Sequence, residues 1–193
     1  LLFSVTGASG AGKSTVLAQL GDADWGADVE CLEFDSIGVP AGADTAWRHE
    51  AIEAWVQRAI ERQEHGTHLV LCGQVPMGEL LAAPSADRLE GIAVCVLHCS
   101  PEVRSLRLLA RGEDPAAIVH HNRFGEWFLA HTLDPTHAPE VIRVPSRVPM
   151  RWSRWADVAP GDPRWHAEVI DTDALTPEQT ALRVEEWVRH GLA

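Results

Sequence analysis

The chain contains a single lysine, Lys13, set in Gly7-Ala8-Ser9-Gly10-Ala11-Gly12-Lys13-Ser14, while its other fifteen Lys/Arg positions are all arginine. A preference for arginine empties a surface of lysine, because exposed positions tolerate either cation. It does not remove a lysine from a site that needs a compact ammonium on a flexible stem. The spacing G-x-x-x-x-G-K-[ST] is that of a phosphate cradle. Its glycines let the backbone curl so that successive N–H groups face phosphate oxygens, the lysine reaches the β/γ-phosphates, and the hydroxyl, here Ser14, ligates Mg²⁺. Residues Gly7 to Ser14, with Thr15 beside them, are expected to hold a nucleoside triphosphate.

Such a loop works only between a strand and a helix N-terminus, whose dipole also favours the anion. The flanks supply both. Leu1-Leu2-Phe3-Ser4-Val5-Thr6 reads as a buried strand, and Ser14 to Leu20 as a helix stopped at Gly21. Further on, Glu30 to Asp35 reads as a second strand. Asp44 or Thr45 caps a long helix to about Glu64, with Trp47, Ala51, Trp55 and Ala59 on one face. His68 to Cys72 reads as a third strand, a helix begins near Gly78, and Ile92 to Leu97 is the most apolar strand. Pro101 to Ala110 reads as helix. From 112 to 165 the pattern weakens, with helical signal mainly from Asn122 to His131. Glu168 to Asp171 resembles a last strand, and Thr176 caps a closing helix that ends at Gly191. Strands alternating with helices imply a parallel sheet covered on both faces.

Composition narrows the classes. The 193 residues suit one domain, 1–193, and no run of about eighteen apolar residues suggests a membrane span. No signal-peptide pattern precedes the first strand, so the expected location is the cytoplasm. Cys31, Cys72, Cys95 and Cys99 lack paired metal-ligand spacing and read as small buried hydrophobes of a reducing compartment. The net charge of −12 argues against a general nucleic-acid binder. A small anionic ligand remains compatible, because eight of the arginines lie between Arg104 and Arg154. His120, His121, His131 and His137 invite a metal reading, but without an H-E-x-x-H pattern or cysteine partners they suit solvent-facing positions better.

The glycine loop, the acid ending strand two, the arginines after strand four and the last strand with its loop resemble the P-loop small-molecule kinases. That group includes nucleoside-monophosphate, shikimate and gluconate kinases and chloramphenicol phosphotransferase. The resemblance implies an α/β three-layer sandwich, the P-loop NTPase fold, with a central parallel five-stranded sheet and an arginine- and tryptophan-rich lid at about 112–165. It implies that Arg107 and Arg111, a helical turn apart, contact adenine and the transferred phosphates, although a solvated arginine face would look the same. It places Asp171 and Thr172, with Asp173, near the base. Where many relatives carry a Walker-B aspartate this chain has Cys72-Gly73, as gluconate kinases have a cysteine, so the metal would rest on Ser14, phosphate, water and Asp35. The lone asparagine, Asn122, cannot complete an N-K-x-D guanine signature, which leaves ATP as the expected nucleotide.

In-line phosphoryl transfer needs positioned reactants and neutralised charge, roles for Lys13, Mg²⁺ and Arg111. A hydroxyl acceptor also needs a base, and Asp35 is the candidate, with Glu33 in reserve. Asp35 could instead act through a metal-bound water or cap the following turn. Arg48, Gln74, Arg123 and Trp127 are the expected acceptor contacts, arginine for an anionic group and tryptophan for a ring. Trp47, Trp55 and the tryptophans of the lid could equally be core. Three functions follow: a kinase acting on a hydroxyl-bearing metabolite, sugar-like compound, nucleoside or antibiotic; a nucleoside-monophosphate kinase; or an ATP-binding regulator without transfer activity.

Overall fold

The computed structural model describes residues 1–21 and 23–193. Five parallel strands, β1 (Leu2–Thr6), β2 (Val29–Glu33), β3 (His68–Gly73), β4 (Ile92–His98) and β5 (Glu168–Asp171), form one sheet in the order β2-β3-β1-β4-β5. Among the described residues six α-helices connect and cover it: α1 (Lys13–Leu20), α2 (Thr45–Glu64), α3 (Met77–Ala82), α4 (Pro101–Ala110), α5 (Pro115–Leu133) and α6 (Pro177–Leu192).

The central strands are buried on both faces, and the pleat divides their side chains between two cores. Leu69, Leu71, Val94 and Val96 face α2, α3 and the 115–165 segment. Val70, Cys72, Cys95 and Leu97 face α1 and α6. The expected three layers are therefore present. Helix starts follow side-chain chemistry: Asp44 accepts from Trp47 N, Ser100 from Val103 N, and Thr176 and Gln179 form a reciprocal capping box. No helix among the described residues is long and apolar enough to cross a membrane.

Two elements depart from the expected pattern. β2 ends at Glu33, and Phe34–Ile37 is a 3-10 turn, so Asp35 sits beyond the strand. The turn is anchored: Phe34 is buried, its carbonyl accepts from Trp55 Nε1 at 3.0 Å, and its side chain fills the space that a Cβ on Gly73 would need. The second departure is α5, which begins at Pro115 rather than near Asn122, capped by Asp114. From α5 to Trp165 part of the segment joins the core while most of its other residues stay at the surface. Trp127, Trp155 and Trp165 are buried around His131, and their indole N–H groups donate to Ala138 O, Gly78 O and Thr132 O.

Candidate active site

Between β1 and α1 the glycine loop has the conformation its sequence requires. Gly10 and Gly12 adopt φ of 81° and 101°, left-handed values that side chains with a Cβ rarely take. Gly12 is the residue that precedes α1, and no side chain caps that helix, which leaves its first N–H groups for a ligand. Lys13 bends back so that Nζ donates to Ala8 O at 3.0 Å. Burial pushes its ammonium from the ordinary 10.5 down to about 8; Cys72 and Asp35 work against the shift and Arg111 adds to it. A cation this poorly compensated has much to gain from an arriving anion.

Two cavities meet at this loop. The larger, about 600 Å³, is bordered by Lys13, Ser14, Glu33, Asp35, Arg48 and Gln74, together with Trp47, Phe124 and Arg111. The smaller, about 310 Å³, is mostly apolar, lined by Thr15, Val16, Arg107, Ala110, Thr172, Leu175, Pro177 and Thr180. Gly12 and Arg111 border both. The two compartments thus join at the end of the glycine loop.

The expected residues distribute unevenly over this geometry. Arg107 spans the base of the smaller cavity, donating from Nη1 to Thr172 Oγ1 at 2.9 Å and Gly10 O at 3.3 Å, and from Nη2 to Thr172 O at 2.8 Å. Thr172 lines that cavity, whereas Asp171 points its carboxylate at Asp173 N and Asp173 caps Ser100 N. Gln74 reaches the loop, accepting from Ser9 Oγ at 3.3 Å. Ser14 Oγ donates to Glu33 Oε1 at 3.0 Å, so the reserve carboxylate rather than Asp35 touches the hydroxyl that the sequence suggested as a metal ligand. Among the described residues no group of three His, Cys, Asp or Glu side chains could bind a metal alone.

Arg123 and Trp127 are not brought to the cavity. Arg123 is exposed outside its lining, and Trp127 is buried, stacked on His131 with ring centroids 5.1 Å apart. Their neighbour Phe124 lines the wall instead. Sequence reasoning also missed Glu79. Its carboxylate is fully buried and takes a two-pronged grip from Arg48, Nε to Oε2 and Nη2 to Oε1, both at 2.6 Å. His49, also fully buried, places Nε2 3.3 Å from Glu79 Oε1. The one available signal was a lone acid in the apolar run Met77-Gly78-Glu79-Leu80-Leu81-Ala82, since an acid that must be buried requires a partner.

The sequence matches no protein-family model and no curated protein. Solved structures do resemble it. The APS kinase of Mycobacterium tuberculosis, solved with AMPPNP and APS, superimposes with a TM-score of 0.56 at 18% identity over 97% of this chain and 96% of its own. A gluconokinase from Sinorhizobium meliloti gives 0.53 at 19% identity, over 98% and 94%. The tunicamycin resistance protein of Deinococcus radiodurans gives 0.56 at 15%, over 97% and 94%. The fold is that of the P-loop kinases.

Proposed function

We propose that the chain is an ATP-dependent kinase that transfers the γ-phosphoryl group to a hydroxyl of a small molecule. The observation that carries this is the meeting of two unlike cavities at one glycine loop, an apolar slot of base size and a polar chamber, with Gly12 and Arg111 at the junction and Lys13 on the polar side of it. The fold's likeness to an APS kinase and a gluconokinase supports it.

In this reading adenine lies between Arg107, Leu175 and Pro177, and the loop amides and Lys13 hold the β- and γ-phosphates. Ser14 would hold Mg²⁺ together with phosphate oxygens and water, with Glu33, its hydrogen-bond partner, and Asp35 in the same cavity to orient that water; when bound, the ion would neutralise charge on the phosphates. Asp35 takes the acceptor's hydroxyl proton as the oxygen bonds to the γ-phosphorus and the bond to the β–γ bridging oxygen breaks. ADP and the phosphoryl ester result. Arg111 faces the charge that spreads over the γ-phosphoryl oxygens. A nucleoside-monophosphate acceptor is less well served, because Arg48 is occupied by Glu79 and Arg123 lies outside the chamber.

Acceptor-dependent ADP formation across a panel of hydroxyl compounds tests this. Lys13→Ala should abolish it, and Asp35→Ala should cut kcat by about 10²- to 10⁴-fold, the usual worth of a general base. ADP formation that no hydroxyl compound stimulates, or that survives Lys13→Ala, contradicts the proposal. Full turnover in Asp35→Ala removes the base assignment alone.

A further inference from the structure

We infer that the acceptor is a hydroxyl compound without an anionic group, uncharged or cationic, with a flat or C–H-rich face. The inference rests on the kinase reading and specifies its second substrate. It reverses what the arginine-rich stretch from Arg104 to Arg154 suggests.

That stretch is a cluster in sequence only. Arg104 is buried, with Nη2 on Cys99 O. Arg107 is spent on Thr172 and Gly10. Arg143 lies over the Trp155 ring at 4.3 Å, and Arg151 and Arg154 both pair with Asp87 at 3.0 Å. Of the eight arginines only Arg111 borders the larger cavity, and it stands at the triphosphate end.

Arg48 is the remaining acceptor-side cation, and its charge is already matched. Fork-to-fork pairing of guanidinium and carboxylate is among the strongest charge-assisted arrangements. Turning Arg48 toward a substrate anion would leave Glu79, wholly buried, with only His49 beside it, a heavy desolvation penalty. With Nε and Nη2 committed, Nη1 is left to donate to a neutral oxygen. The other charged groups lining that side are Glu33, Asp35 and Asp44, the last fixed as the cap of α2 by Trp47 N at 2.8 Å; Arg147 borders a separate cavity that shares Asp44 and Trp47 and also holds Glu50. An anion entering there meets carboxylates, a repulsion that selects against it. Trp47 and Phe124 add aromatic walls suited to a ring or to a sugar's C–H face.

The test uses acceptors in pairs that differ by an acidic group: glucose and gluconate, uridine and UMP, with glucosamine as the cationic member. In any pair with turnover, kcat/KM should favour the uncharged or cationic compound by about tenfold or more. A faster acid overturns the inference and leaves the kinase standing. A second arm needs no turnover: gluconate and UMP are titrated calorimetrically into the wild-type protein saturated with ADP and Mg²⁺. No saturable heat at millimolar concentration is expected, and sub-millimolar binding of either overturns the inference. Glu79→Gln releases Arg48 and should make these anions bind at least about tenfold tighter than to wild type; unchanged binding in a folded variant counts against the charge-matching argument. Failure of the kinase reading is separately visible, as absence of ATP binding or of any effect of Lys13→Ala.

Discussion

Lys13 Nζ rests on Ala8 O in a surrounding that holds its pKa near 8, so the protein carries this charge at a cost until an anion arrives. Phosphate oxygens would raise that pKa, and linkage then sets the direction of the pH dependence. Below about 8 the free lysine is already charged and binding is at full strength. Above it, binding must also take up a proton. Affinity for AMPPNP with Mg²⁺, measured from pH 7 to 9.5, should therefore weaken as pH rises through 8, and a flat profile would show that the amine does not sense the phosphates. Residue chemistry of this kind was legible because the motif is local. The Arg48–Glu79 pair was not, since its partners lie 31 positions apart and only the packing of α2 on α3 joins them.

Elements were readable where period and punctuation agree. Pro101–Ala110 and Glu168–Asp171 have the observed bounds because a Ser-Pro cap and a short apolar run mark them unambiguously. Asp35 was misassigned to a strand because an apolar alternation continues through Phe34, and only Trp55 Nε1 and the bare Gly73, both distant in sequence, turn the chain into a 3-10 segment. The start of α5 was missed although Asp114-Pro115 is a good cap, because His120, His121 and Gly125 dilute the helical pattern. Gly125 has its own reason to be there: a Cβ at that position would run into the guanidinium of buried Arg104. Gly125→Ala should accordingly lower stability by about 1–3 kcal/mol, the typical cost of overpacking, rather than raise it as glycine-to-alanine changes in helices usually do. Urea unfolding checks the sign, and a stabilised variant would mean that Arg104 can move aside.

Across the whole molecule, the two cores on either side of the sheet flank the strand and helix that hold the glycine loop, and the 115–165 segment joins one core through Trp127, Phe128, Ile142, Trp155 and Trp165, with a buried histidine among the tryptophans. His131 is 2% exposed, packed among Trp127, Trp155 and Trp165, and burial pushes its pKa from 6.5 down to about 4. The folded state therefore keeps it neutral while the unfolded chain protonates it below 6.5, so stability is complete above that pH and declines as pH falls toward 4. The loss from this one residue amounts to about 3 kcal/mol. Denaturant midpoints between pH 7 and 4.5 should fall, and His131→Phe should flatten the slope; an equal slope in the variant would place the sensitivity elsewhere. This aromatic cluster buries Trp127, Trp155 and Trp165 against His131, a packing that tryptophan content alone could not reveal.

Direct calorimetric titration of the wild-type protein and of Lys13→Ala with AMPPNP and Mg²⁺ tests the grip of the glycine loop on a triphosphate. Saturable one-to-one binding by the wild type is predicted, weakened roughly 30-fold or more in Lys13→Ala, because removing a buried charge partner costs about 2 kcal/mol or more. No heat with the wild type, or equal affinity in the two proteins, would contradict it.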